Sequence, residues 1–188
     1  MTGNSDPPLT ELLQRSASGD RAARDAVWQQ VHDHLRRLAH ARLAKESAMH
    51  CEPTELVHEA YMKLADLGLA PRDREHFYAI AANAMRQVLV DQARARNRAK
   101  RGSGLSPVTL NSRFIDGTAS VVDVLDIDRA IRALEQADAR KARAVVLSYF
   151  GGLTDNEVAG VLCVSAATIK RDLRTARAWL ASALAPAH

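Results

Sequence analysis

The sequence predicts an all-α protein of two small helical domains joined by a flexible linker, the C-terminal one a helix-turn-helix. Apolar residues recur at intervals of three and four through most of the chain, the period of half-buried helices. Aromatic residues make up only 4% of the 188 positions, so the cores must be aliphatic. Two helix-start signals also stand close together near the C-terminus. Thr154 precedes Glu157 by three residues and leads into Val158, Val161 and Leu162, the spacing of a reciprocal capping box. Ser165 then starts a second helix in which Ile169, Leu173, Ala176, Leu180 and Leu184 form one apolar face. Two helices joined by so tight a turn must cross steeply.

The remaining elements follow from the same signals. Residues 1–8 read as disordered, and a short helix over 10–18 ends at Gly19. Asp20 caps a longer helix, in which Ala23, Val27, Val31, Leu35, Leu38 and Leu43 make the apolar stripe. Glu52-Pro53-Thr54 begins the next, which runs to about Leu67, since proline is tolerated in a first turn. A loop over 68–73 contains Pro71, after which Phe77, Ile80, Ala81, Ala84, Met85, Val88 and Leu89 continue one apolar face to about Ala95. Arg94, Arg96, Arg98, Lys100 and Arg101 crowd the end of that helix. The macrodipole favours cations there, but capping explains one or two of them, not five. Residues 102–116 read as linker, and VTL at 108–110 is too short to define a strand. From Ile127 the helical pattern resumes in two helices, the second closed by Gly151-Gly152. The domains are therefore placed at 10–101 and 128–188, with the linker at 102–127.

Charge is distributed in keeping with that division. The formal net charge is +4. Residues 21–101 carry fifteen Lys and Arg against ten Asp and Glu, and residues 128–188 nine against six, while 102–127 holds one Arg and three Asp. Two basic blocks flank a slightly acidic connector, as expected if two surfaces meet a polyanion. On the last helix Lys170, Arg171 and Arg174 lie off the apolar face, where they can reach phosphates and base edges of duplex DNA; Arg177, later on the helix, is expected to touch only backbone or solvent. The linker acids Asp116, Asp123 and Asp126 are expected to shield a basic surface in the resting protein.

Other classes find little support. Two cysteines, Cys51 and Cys163, make neither a disulfide framework nor a zinc knuckle, and His50 and His58 beside Cys51 lack a fourth ligand. His32, His34 and His40 with Asp33 are spread around one amphipathic helix, without a phosphate loop, nucleophile elbow or metal set to suggest an enzyme. The N-terminus has no apolar segment of a leader and no run approaches the ~20 apolar residues of a membrane span, so a cytoplasmic protein is expected.

The order of three segments is similar to that of a known family. The chain resembles the bacterial extracytoplasmic-function (ECF) sigma factors over about residues 10–185. EPTELVHEAYMKL (52–64) resembles the segment that docks on the clamp helices of the polymerase largest subunit. FYAIAANAMRQVLVDQARARNRAKRG (77–102) resembles the segment that melts and reads the minus-ten element. LTDNEVAGVLCVSAATIKRDLRTARAWL resembles the helix-turn-helix that reads the minus-thirty-five element. The resemblance implies docking through Leu56, Val57, Glu59, Ala60 and Tyr61. It implies minus-ten contacts from Asn83, Arg86, Asp91 and Arg94, and minus-thirty-five contacts from Ser165, Thr168, Lys170, Arg171 and Arg174. Ala84, Met85, Val88 and Leu89 are expected to be core, Asp91 to pair with Arg94 or Arg86, and the loop 67–76 to hold a flipped base. The partners implied are core RNA polymerase and promoter DNA, with an anti-sigma factor left open and no metal or cofactor required.

The strings LVDQARARNRAKRG, TIKRDLRTARAWL and EPTELVHEAY further resemble the subgroup whose genes accompany serine/threonine kinases. Thr54 departs from the wider family, whose docking helix usually carries an acid at that place. Phosphorylation there would supply about −1.5 to −2 charges near a helix N-terminus, so Thr54 is a candidate phosphorylation switch with a kinase as partner. Cys163 stands where the turn usually has glycine, so strain or an altered turn is expected. The alternative reading is a free-standing helix-turn-helix regulator, which leaves the docking segment and the Arg-rich helix end without a role.

Overall fold

In the computed structural model, residues 8–42, 53–66, 74–103, 108–111 and 121–185 are described. They form α1 (Leu9–Ala17), α2 (Arg21–Arg42), α3 (Pro53–Asp66), α4 (Arg74–Ser103), β1 (Thr109–Asn111), β2 (Val121–Asp123), α5 (Val124–Ala137), α6 (Ala139–Tyr149), α7 (Asp155–Leu162) and α8 (Ala166–Leu184). Among the described residues the architecture is all-α apart from one pair of three-residue strands.

Local signals account for most boundaries. Gly19 takes the left-handed conformation after α1 (φ +93°), which costs a glycine little. The Asp20 carboxylate then accepts from Ala23 N at 3.0 Å and from Arg15 Nη2 at 2.8 Å, joining the end of α1 to the start of α2. The Ala23 amide, with Arg15 second, holds that carboxyl below the usual carboxylate range. Helix α4 continues to Ser103, past the expected end of its apolar face near Ala95. The added residues are mostly Ala, Arg and Lys, good helix formers whose cations also suit the negative end of the dipole.

The segment expected to be linker contains structure. β1 and β2 pair antiparallel, with Leu110 opposite Val122 and Thr109 opposite Asp123. Val108 and Leu110 are buried, and Val108 O accepts from Val124 N at 3.0 Å. The Asp123 carboxylate caps α5 by accepting from Leu125 N at 2.7 Å, which is why the helix begins at Val124 and not at Ile127. Of the acids expected to shield a basic surface, the two described ones are otherwise engaged. Asp123 caps α5, Asp126 pairs with Arg129 on its own helix, and Asp116 lies outside the described residues.

Buried side chains form one contiguous cluster from Leu9 to Leu180. Its middle is α4, packed against α3 on one side and against α5, α6 and α7 on another. Ala84, Met85, Val88 and Leu89 are all buried, as their period predicts. The turn after α6 seats into the first half of the molecule. A Cβ on Gly151 would lie 3.0 Å from Ala82 Cβ and 2.6 Å from Leu147 O, so only glycine fits there. Gly152 has φ +66° and faces Leu38 and His34.

Candidate nucleic-acid interface

The C-terminal helix pair is built by the caps its sequence contains. Thr154 Oγ1 accepts from Glu157 N at 3.4 Å while Glu157 Oε2 accepts from Thr154 N at 2.8 Å, closing the capping box. Cys163 ends α7 in the left-handed region (φ 54°, ψ 43°), so the turn keeps its geometry and a Cβ carries the strain, of about 1–2 kcal/mol. Ser165 Oγ accepts from Thr168 N at 3.1 Å and caps α8.

Helix α8 presents two distinct faces. Ile169, Leu173, Ala176 and Leu180 are buried against α5, α6 and α7. Lys170, Arg171 and Arg174 are exposed, which leaves their charges available to a polyanion, whereas Arg177 is half-buried. Ser165 is exposed and Thr168 half-buried, but their hydroxyls lie 2.9 Å apart and are already bonded to each other.

One residue that the sequence reading passed over positions this helix. Asp172 is buried on the same face as Ile169 and Leu173, and accepts from Arg140 Nε of α6 at 2.8 Å and Nη2 at 3.3 Å. That fork ties the middle of α8 to α6 and fixes its rotation about its axis. An acid falling on the apolar period was the available signal.

The candidate residues of the first half are placed differently. Leu56, Val57 and Ala60 of α3 are buried at 1%, 0% and 0% exposure, as core residues of a helix packed on α2 and α4. Glu59 is half-buried. Tyr61, also half-buried, packs against Trp28 of α2 with ring centroids 3.8 Å apart and the planes tilted by 46°. The outward face of α3 instead carries Thr54, Glu55, His58 and Met62. Thr54 lies in the first turn and is exposed.

On α4, Asn83 and Arg94 are exposed, and Asn83 Nδ2 donates to Ala79 O at 2.9 Å. Asp91 pairs neither with Arg94 nor with Arg86. It accepts from Lys63 Nζ of α3 at 2.6 Å and from Gln87 Nε2 at 2.9 Å, and Lys63 is the main cause of its lowered pKa. Arg86 turns to α5, where its Nε and Nη2 donate to Asp128 Oδ1 at 3.0 and 2.7 Å. The loop expected to hold a flipped base lies outside the described residues over 67–73, as do His50 and Cys51.

Among the described residues no three His, Cys, Asp or Glu side chains gather as a metal site requires. No described helix is long and apolar enough to cross a membrane. The arrangement is one of positioned cations and capped helices, suited to holding nucleic acid. No match was found among curated proteins or among solved structures. A family model described as ECF sigma factor matches residues 7–186, nearly the whole chain, and the protein belongs to that family of transcription-initiation factors, which act with core RNA polymerase on promoter DNA.

Proposed function

We propose that residues 10–101 dock on core polymerase and read the minus-ten element, that 128–188 read the minus-thirty-five element, and that phosphorylation of Thr54 promotes docking. The observation that carries the reading is the division of α8 into a fully buried aliphatic face and an exposed face bearing Lys170, Arg171 and Arg174. Cations so placed enter a major groove without disturbing the fold, with the N-terminal half of the helix nearest the bases.

Docking is assigned to the exposed strip of α3, from Thr54 and Glu55 through His58 to Met62, with Glu59 and Tyr61 at its edge. Leu56, Val57 and Ala60 support that strip from beneath. Met62, 47% exposed, is the large apolar side chain this strip offers a partner. Of the four α4 candidates, Asn83 and Arg94 are the ones open to a melted strand, and the Lys63–Asp91 pair couples α4 to the docking helix.

A phosphate on Thr54 would sit at the positive end of the α3 dipole and add charge toward a basic partner surface. A serine/threonine kinase then becomes a partner, as the resemblance to the kinase-associated subgroup implies. Transcription reconstituted from purified core polymerase on a random-template pool tests both levels. Initiation that depends on this protein supports the sigma reading. Operator binding without any gain in initiation would favour the free-standing regulator. Thr54→Glu is expected to exceed Thr54→Ala several-fold in transcript yield, and equal yields would remove the switch while leaving the sigma reading intact.

A further inference from the structure

Helix α8 carries one acid, Asp172, among its cations, and that acid points away from them. At about 100° per residue, Lys170 and Arg174 project roughly 160° from Asp172 on either side, and Arg171 about 100° from it. The three cations thus fan over the exposed side of the helix, and Asp172 faces the protein. Its side chain is 3% exposed, whereas that of Arg140, which supplies both donors of the fork, is 48% exposed.

Arg140 stands on a fixed corner. Asp138 N donates to Leu134 O at 2.7 Å at the end of α5, and the Asp138 carboxylate caps α6 by accepting from Lys141 N at 3.0 Å. Lys141 Nζ donates to the same carboxylate. The guanidinium therefore issues from the first turn of a helix whose start is tied at both its backbone and its cap. The rest of the seat of α8 lacks such direction. Ile169, Leu173, Ala176 and Leu180 bury aliphatic surface, and that attraction follows area and not angle. Aliphatic packing keeps its stability more readily than its uniqueness. At a side-chain radius of about 6 Å, rotating α8 by about 15° moves a cation tip by about 1.6 Å. A functional contact needs its groups held within about 0.5 Å. Attraction to phosphates falls off slowly with distance and survives such a shift.

We propose that Asp172 is a specificity-determining positioning residue: its fork with Arg140 sets the rotation of α8 so that Arg171 and Arg174 meet base edges in register, while general affinity for DNA comes from the cations at any rotation. The proposal rests on the reading of α8 as the minus-thirty-five reader. The carboxylate subtracts one charge from a helix that meets a polyanion, so it favours aim over attraction. The fork also resists competition, because a phosphate that drew Arg140 away would strand a buried carboxylate, which is strongly penalised.

The test uses the full-length protein bound to core polymerase and compares wild type with Asp172→Leu, Asp172→Asn and Arg140→Lys. Selection from a random duplex pool gives the sequence the wild type prefers. Affinity is then measured for that duplex and for the same duplex with its upstream element scrambled, and urea midpoints and circular dichroism are recorded on the free proteins. Leucine fills the buried site without a charge, so Asp172→Leu is expected to keep or raise the urea midpoint. Its ratio of the two affinities is expected to fall about tenfold, the scale of one bidentate base contact, while affinity for the scrambled duplex holds or rises. Arg140→Lys keeps the charge of α6 but cannot form the fork, and is expected to lose discrimination in the same direction. Should Asp172→Leu lose helix content, Asp172→Asn decides by the same ratio. A ratio within about twofold of wild type in a folded variant, or an equal fall on both duplexes, overturns the proposal. A wild type that selects no upstream sequence sinks the minus-thirty-five reading and this proposal together; a selective wild type matched by its variants sinks this proposal alone.

Discussion

The two halves of the molecule treat most of their candidate contact residues in opposite ways, Asn83 and Arg94 of the first half being exposed like the C-terminal cations. In the C-terminal half Lys170, Arg171 and Arg174 stand in solvent, while the positions of the same helix that recur with the apolar period are buried. In the N-terminal half Leu56, Val57 and Ala60 are core, and Arg86 and Asp91 are engaged with other helices. The C-terminal cations follow from helical phase relative to an apolar stripe. The N-terminal candidates came from resemblance of a string, which identifies a segment without identifying which side of it faces out. Phase decides exposure on a helix, because residues three and four apart share a face whatever the segment does.

The sharpest test of that contrast is Leu56→Ala. Removing a fully buried leucine is expected to destabilise the fold by about 2–5 kcal/mol, read as a shifted urea midpoint. A shift below about 0.5 kcal/mol would return Leu56 to the surface and erase the distinction between the halves. Arg171→Ala comes next. Stability should stay within about 0.5 kcal/mol, while binding to a selected minus-thirty-five duplex should weaken by about 1–3 kcal/mol with relaxed preference at one base. Loss that is uniform over all sequences would make Arg171 a phosphate contact.

The smallest effect concerns acid. Burial pushes the His34 imidazole below its ordinary value of 6.5, opposed in part by its bond to Gly151 O. Tyr78 packs on the ring at 4.5 Å, and the charges of Arg37, Arg74 and Glu157 act on it as well. With the folded pKa depressed, the unfolded chain takes up the proton first. The stability is present above about pH 6.5 and is lost as pH falls through the folded value. A slightly lower urea midpoint at pH 5.5 than at 7.5 is expected, and His34→Gln should flatten that slope. Glu157, whose carboxyl Arg74 holds below the usual range despite burial, adds a second loss only at more acidic pH. An NMR titration placing the His34 pKa at or above 6.5 would reverse the first sign.

The legible parts of the chain were those governed by local rules. Thr154 and Ser165 cap as their spacing implies, Asp20 starts α2, and the apolar period of α4 predicts its buried residues. Interactions across distance were not legible. Three residues carry no usable period-two signal, so the pairing of β1 with β2 depends on a partner segment that the local sequence does not announce. Asp128 and Asp172 each fall on an apolar face, between buried neighbours, and that misplacement hints at a buried partner without naming Arg86 or Arg140. Cys163 shows a converse case, in which a turn keeps its left-handed geometry although its residue argues against it.

The strand pair between the halves also sets a tether. Residues 104–123 connect α4 to α5 and, drawn out fully, could reach about 70 Å. Pairing Thr109 with Asp123 shortens that reach, because a stretch able to extend about 50 Å is reduced to the spacing of neighbouring strands, about 5 Å. Three residue pairs thus act as a hitch in a rope, and unzipping them would pay out about 45 Å of reach between α4 and α5.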